Sequence, residues 1–104
     1  ADPAPADKFG RTALMEAANR GRTEVVSALL AAKADPAPAD KFGRTALMEA
    51  ANRGRTEVVS ALLAAKADPA PADTYGLTAL MRAAFGGHTE VVSALLAAKA
   101  DPAP

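Results

Sequence analysis

Residues 34–66 read ADPAPADKFGRTALMEAANRGRTEVVSALLAAK, and residues 1–33 read the same, letter for letter. Residues 67–99 repeat the stretch again with seven changes and no insertion or deletion. A strict period of 33 residues marks a stacked solenoid, in which each unit packs on its neighbours, rather than a globule closed around one core. A single domain is therefore expected over residues 1–104, with repeats 1–33, 34–66 and 67–99 and the start of another at 100–104.

The middle copy resolves into two helices. Thr45 offers a capping hydroxyl ahead of Ala46–Ala51, and Gly54 stops the run. Leu47, Ala50 and Ala51 form one apolar stripe at i, i+3, i+4. Thr56 is expected to cap the second helix, with Glu57 at the positive end of its dipole. Val58, Val59, Leu62 and Leu63 supply that helix with its buried face. It must end near Lys66, because Asp68-Pro69-Ala70-Pro71 cannot continue it. Asp40-Lys41-Phe42-Gly43 reads as a turn in which Gly43 takes a positive φ. Neither helix hides its stripe alone, so about three units are the practical minimum, and three are present. The fold class expected is an all-α solenoid.

The pattern Asp40, Gly43, Thr45, Leu47, Ala50-Ala51, Gly54, Glu57-Val58-Val59, Leu62-Leu63, Ala67-Asp68 resembles the ankyrin repeat, and the resemblance covers essentially the whole chain. It implies helix-turn-helix pairs joined by short hairpin-like turns, and a non-catalytic protein-binding role. Two departures from the family pattern bear on stability. Thr-Ala-Leu-Met stands at 12–15, 45–48 and 78–81 where the family has Thr-Pro-Leu-His. Lys33, Lys66 and Lys99 stand where the family has glycine, so lysine is expected to hold a left-handed conformation, at about 1 kcal/mol per site. Letter-for-letter copies point to recent duplication or deliberate construction, and both ends fall at the same point of the period, which favours construction. The repeat pattern runs to both ends, so no polar capping repeat of the kind solenoids use for solubility is expected at either.

Composition argues against chemistry. Twelve Lys and Arg balance twelve Asp and Glu, so no net field draws the molecule to nucleic acid or a membrane surface. Cysteine is absent, and with it disulfides, thiol nucleophiles and cysteine metal sites. No apolar run approaches the roughly 18 residues of a spanning helix, so a soluble, cytoplasmic protein is expected. His88 is the single histidine, and Arg22 and Arg55 occupy its place in the other copies. The ankyrin resemblance implies a structural hydrogen-bonding group between neighbours there, and a lone histidine without cysteine makes no zinc site. Ser27, Ser60 and Ser93 have no base in reach, Gly86-Gly87 lacks the context of a phosphate loop, and Met15, Met48 and Met81 recur as packing. No catalytic residue, metal or cofactor is expected.

Function is therefore sought where the copies differ: Lys41/Thr74, Phe42/Tyr75, Arg44/Leu77, Glu49/Arg82, Asn52/Phe85, Arg53/Gly86 and Arg55/His88. None lies on the apolar stripes; all are expected on the turn, the exposed part of the first helix or the reversal after it. The ankyrin resemblance places such positions on a concave recognition face, and Thr74, Tyr75, Leu77, Phe85 and Gly86 fall at places that binders of this family vary. The candidate protein-binding residues are Thr74, Tyr75, Leu77, Arg82 and Phe85, with Arg44 and Arg53. Copies one and two carry Lys8, Arg11, Arg20, Arg22, Lys41, Arg44, Arg53 and Arg55 there, interleaved with Asp7, Glu16, Asp40 and Glu49. Glu16 with Arg20 and Glu49 with Arg53 have the i,i+4 spacing of helical ion pairs. Phe9, Phe42 and Tyr75 share a position, where an aromatic side chain serves equally to pack the turn or to meet a partner. The partner expected is a protein or peptide, apolar opposite Leu77 and Phe85 and acidic toward the first two copies. The alternative is a structural building block whose ends stack head to tail: Glu49 lies one repeat before Arg82, and Glu16 of an incoming molecule is expected to meet Arg82 likewise across the junction.

Overall fold

The computed structural model of the chain describes residues 10–98. Among them are six helices: α1 (Ala13–Asn19), α2 (Thr23–Ala31), α3 (Ala46–Arg53), α4 (Thr56–Ala64), α5 (Ala79–Phe85) and α6 (Thr89–Ala97). Helices α1, α3 and α5 stack side by side in one layer, and α2, α4 and α6 in a second. Each short helix also packs on the longer helix that follows it, so the core lies between the layers.

The first helix of each copy opens as its sequence dictates. The hydroxyls of Thr12, Thr45 and Thr78 accept from the backbone N–H of Met15, Met48 and Met81 at 3.2, 3.2 and 3.3 Å. The second helix opens differently. Thr56 is the first helical residue, and Arg55 is the cap without a side-chain hydrogen bond, as are Arg22 and His88 in the other copies. The Arg55 N–H is bound by the Ala50 carbonyl and its own carbonyl accepts from Val59, so the reversal fixes the helix start one residue before the hydroxyl.

The longer helices end in a Schellman arrangement. Lys66 stands at φ 68° and Lys33 at φ 69°. Lys66 N–H reaches the Leu63 carbonyl and Ala67 N–H the Leu62 carbonyl, both at 3.0 Å. The left-handed lysines expected at these two places are present; Lys99 lies outside the described residues, as do Asp7, Lys8 and Phe9. The turns are hairpin-like, as expected. Asp40 N–H bonds the Arg44 carbonyl, Asp73 N–H the Leu77 carbonyl, and Thr74 N–H the Phe42 carbonyl, which ties one turn tip to the next.

Burial shows that neighbours build the core. Val58 and Val91 are 1% exposed, whereas Val25, in the same sequence context, is 50% exposed because no unit among the described residues covers that side of α2. Leu96 is 45% exposed at the opposite end of the stack. Met15 and Met48 are buried under the following unit, and Met81 is half-buried.

Candidate protein-binding face

The candidate face is built on two buried aspartates. Asp40 Oδ1 accepts from the N–H of Phe42 at 2.9 Å and of Arg44 at 3.0 Å. Asp73 Oδ1 does the same for Tyr75 at 2.9 Å and Leu77 at 3.1 Å. Each carboxylate thereby locks the turn that carries the variable residues. Its second oxygen is left facing a cation, and the two copies supply that cation from different places.

In copy two, Asp40 Oδ2 meets Arg11 Nη1 of the preceding copy at 3.1 Å, with Arg44 Nε at 3.5 Å. Arg11 Nη1 also donates to Glu49 Oε1 at 3.2 Å, and Asn19 donates its side-chain amide to Glu49 Oε2. Glu49 is consequently buried, at 5% exposure. This corrects two expectations: Glu49 is neither on the exposed part of its helix nor paired with Arg53. The stacking of copy one over copy two brings Arg11 and Asn19 to it, and partners across the repeat displace the one along the helix. Arg53 is exposed and makes no ion pair among the described residues. Glu16 pairs with Arg11, Nε to Oε1 at 2.5 Å, and also with Arg20, at 3.8 Å, as its spacing implies.

In copy three, the Asp73 partner is Arg82 on α5, whose Nε donates to Oδ2 at 3.1 Å and whose Nη2 reaches the same oxygen. Burial alone would raise the Asp73 carboxyl, but the Arg82 hydrogen bond and the Leu77 and Tyr75 N–H groups outweigh it and hold its pKa below the ordinary 3.8. Arg82 is thus engaged within its own unit. The expected opposition of Glu49 and Arg82 is confined to their lining one small depression with Arg44, Met48 and Asn52. Arg44 bears a cost of this arrangement: its Nε is buried without a hydrogen bond, 3.5 Å from Asp40 and 3.6 Å from Glu49.

The aromatic position differs in the same way. The Phe42 ring, 42% exposed, has two cations near its face, the Arg44 guanidinium 5.0 Å and the Lys41 ammonium 5.6 Å from its centre. In copy three those places hold Leu77 and Thr74, and Tyr75 is 79% exposed. Phe85 is 75% exposed on α5, one turn beyond Arg82, and Thr74 is exposed at the turn tip while Leu77 is half-buried behind it.

His88 sits outside this patch. Its Nε2 donates to the Asn52 carbonyl at 3.1 Å, and Arg55 Nε donates to the Asn19 carbonyl at 3.2 Å one unit earlier. The structural reading of this position holds. A Cβ on Gly54 would stand 2.6 Å from the His88 ring, so glycine there serves both a φ of 71° and the close approach of the next unit. No group of three His, Cys, Asp or Glu is placed to hold a metal ion among the described residues, and no helix there is long and apolar enough to cross a membrane.

Sequence reasoning missed the network of Arg11, Asn19, Asp40 and Glu49. The available signal was the paired loss of Arg44 and Glu49 in copy three, an exchange of opposite charges between two positions that the fold brings to one aspartate.

A family model for ankyrin repeats, three copies, matches residues 14–103. Among solved structures, an ankyrin repeat domain from Acinetobacter baumannii AYE is similar to the chain with a TM-score of 0.91 at 38% identity over 97% of its length. The chain spans 54% of that protein. No curated protein matches it.

Proposed function

We propose, from the premise that the chain belongs to the ankyrin repeat family, that it is a non-catalytic protein-binding module whose contact surface is the turn and first-helix face. The observation that carries this reading is the exposure of Tyr75 and Phe85, at 79% and 75%, on a rigid frame with Leu77 beside them. Large apolar side chains held out by fixed backbone lose little entropy on binding and are the usual anchors of a protein interface. Arg53 and Arg20 are the exposed cations of the corresponding position in copies two and one, which suits a partner acidic toward that end. The test is direct. Peptides selected from a random library on the wild-type protein should bind Leu77→Ala/Phe85→Ala at least tenfold more weakly, with circular dichroism unchanged. Peptides that bind the double variant as well as wild type remove the site assignment.

A second reading is favoured by the exposure of Val25 and Leu96 at opposite ends of the stack, since equivalent faces pair inside it. In that reading copies associate head to tail, a contact that does not close and tends toward filaments. Sedimentation that stays monomeric at millimolar protein rules it out in solution. The identity of residues 1–33 and 34–66 accords with an engineered array or a recent duplication.

A further inference from the structure

We infer that copy three takes the cation bracing its turn from its own position 82 rather than from the preceding copy, so that Arg82 is a positioning residue and the Tyr75–Leu77–Phe85 surface is an uncharged site for an apolar partner segment. The inference rests on the reading of this face as the contact surface and says what kind of partner the face takes.

Three independent observations converge on it. First, the two turns are the same object with different braces. Asp40 and Asp73 each hold two backbone N–H groups through Oδ1, while Oδ2 takes Arg11 and Arg44 in one case and Arg82 in the other. Second, the exchange leaves a deficit where it should. Arg11 finds Asp40 and Glu49 in the next copy, but Arg44 faces Arg82 instead of a glutamate, turns back on its own copy and leaves Nε without an acceptor. Third, the exchange uncovers an aromatic ring. Arg44 and Lys41 lie over Phe42, and their replacement by Leu77 and Thr74 leaves Tyr75 bare.

With Arg82 bound to a fully buried carboxylate, the patch offers a partner no free charge. A carboxylate brought to it would lose hydration and gain no unspent cation. An aromatic or aliphatic side chain would bury apolar surface against Tyr75, Leu77 and Phe85, as a hot spot does.

The test uses the free protein first. In Arg82→Gln, the amides of Tyr75 and Leu77 should exchange with solvent about tenfold faster, the effect of losing a charge-assisted bond, and the Asp73 carboxyl should titrate at higher pH. Unchanged exchange and titration would show that Arg82 does not position the turn. Leu77→Arg/Arg82→Glu rebuilds the copy-two arrangement and should restore amide protection; failure to do so refutes the change of brace. The same double variant, though well folded, should bind the library-selected peptides at least tenfold more weakly, because charge has returned to the patch. Wild-type binding by that variant overturns the uncharged site. The exchange and titration arms need no ligand, so failure of the binding reading itself, seen with Leu77→Ala/Phe85→Ala, is distinguishable.

Discussion

Val25, Val58 and Val91 occupy the same place in three units and differ in nothing but their neighbours, so replacing each by alanine in turn isolates cohesion between units. Val58 and Val91 are 1% exposed. The substitution removes the equivalent of two methylenes, about 1.6 kcal/mol of transfer free energy, and leaves a cavity that adds roughly 0.5–1 kcal/mol. Alanine returns about 0.5 kcal/mol through its higher helix propensity. The net loss at either site is therefore about 2 kcal/mol. Val25 is 50% exposed. There the transfer loss falls to about 0.8 kcal/mol, no enclosed cavity forms, and the propensity gain offsets most of the rest, leaving about 0.3 kcal/mol. The difference between sites, more than 1.5 kcal/mol, exceeds a tenfold change in the folding equilibrium constant. Urea unfolding followed by circular dichroism at 222 nm measures all three on one scale, since a solenoid of this size loses its helices in one cooperative transition. Equal losses at the three valines would refute the reasoning, because they would mean that each unit buries its own stripe.

Lys66 at φ 68° pays the left-handed cost of roughly 1–2 kcal/mol, of which glycine gives back part through its freer unfolded chain. Lys66→Gly should stabilise the protein by about 0.5–1 kcal/mol and raise Tm by about 3–5 °C, while Lys66→Ala leaves it unchanged; calorimetry decides. Asp73 has its folded pKa depressed below 3.8, so its contribution is present above that value and is lost as pH falls through the depressed one. Urea midpoints measured from pH 5 downward should therefore decline below about pH 4, and Arg82→Gln should decline less steeply. An identical slope in the two proteins would mean that Arg82 does not set the Asp73 titration.

The parts of the fold legible in one copy are those decided within that copy. Thr45 caps the helix it precedes, and Lys66 takes the left-handed angle that the chain reversal requires. Where the deciding partner lies in another copy, local rules mislead. Glu49 has Arg53 four residues along its helix, yet it binds Arg11 and Asn19, 38 and 30 residues away. An i,i+4 pair at a surface is worth only a few tenths of a kcal/mol, whereas a buried carboxylate without partners would cost several times that. The stronger requirement wins. Thr56 fails as a cap for a related reason: the reversal through Gly54 and Arg55 is hydrogen-bonded to the first helix, and it sets the helix start before the hydroxyl has a role.

The same division sorts the seven differences between copies two and three. Arg55 and His88 are alternative donors to one carbonyl of the preceding unit, so that change is structural on both sides. Glu49/Arg82 changes which residue braces the turn, from Arg11 of the preceding copy on Asp40 to Arg82 of the same copy on Asp73, and Leu77 in place of a second arginine leaves Arg82 alone on that carboxylate. A lone Arg at 82 with Arg44's counterpart retained would crowd two guanidiniums on Asp73; a lone Leu at 77 with glutamate retained would leave two buried carboxylates to a single cation. The two changes therefore depend on each other, and together they leave an apolar position 77 beside a turn that is still braced. Lys41/Thr74 and Phe42/Tyr75 then extend the uncharged surface over the turn tip, and Asn52/Phe85 and Arg53/Gly86 over the end of the helix. Three of the changes, at positions 74, 77 and 86, remove a cation, and Arg82 is held by Asp73, so charge is withdrawn from one side of one unit while the buried stripes of that unit stay identical to its neighbours. A solenoid permits this because its stability resides in contacts along the stack, and its recognition face lies across them.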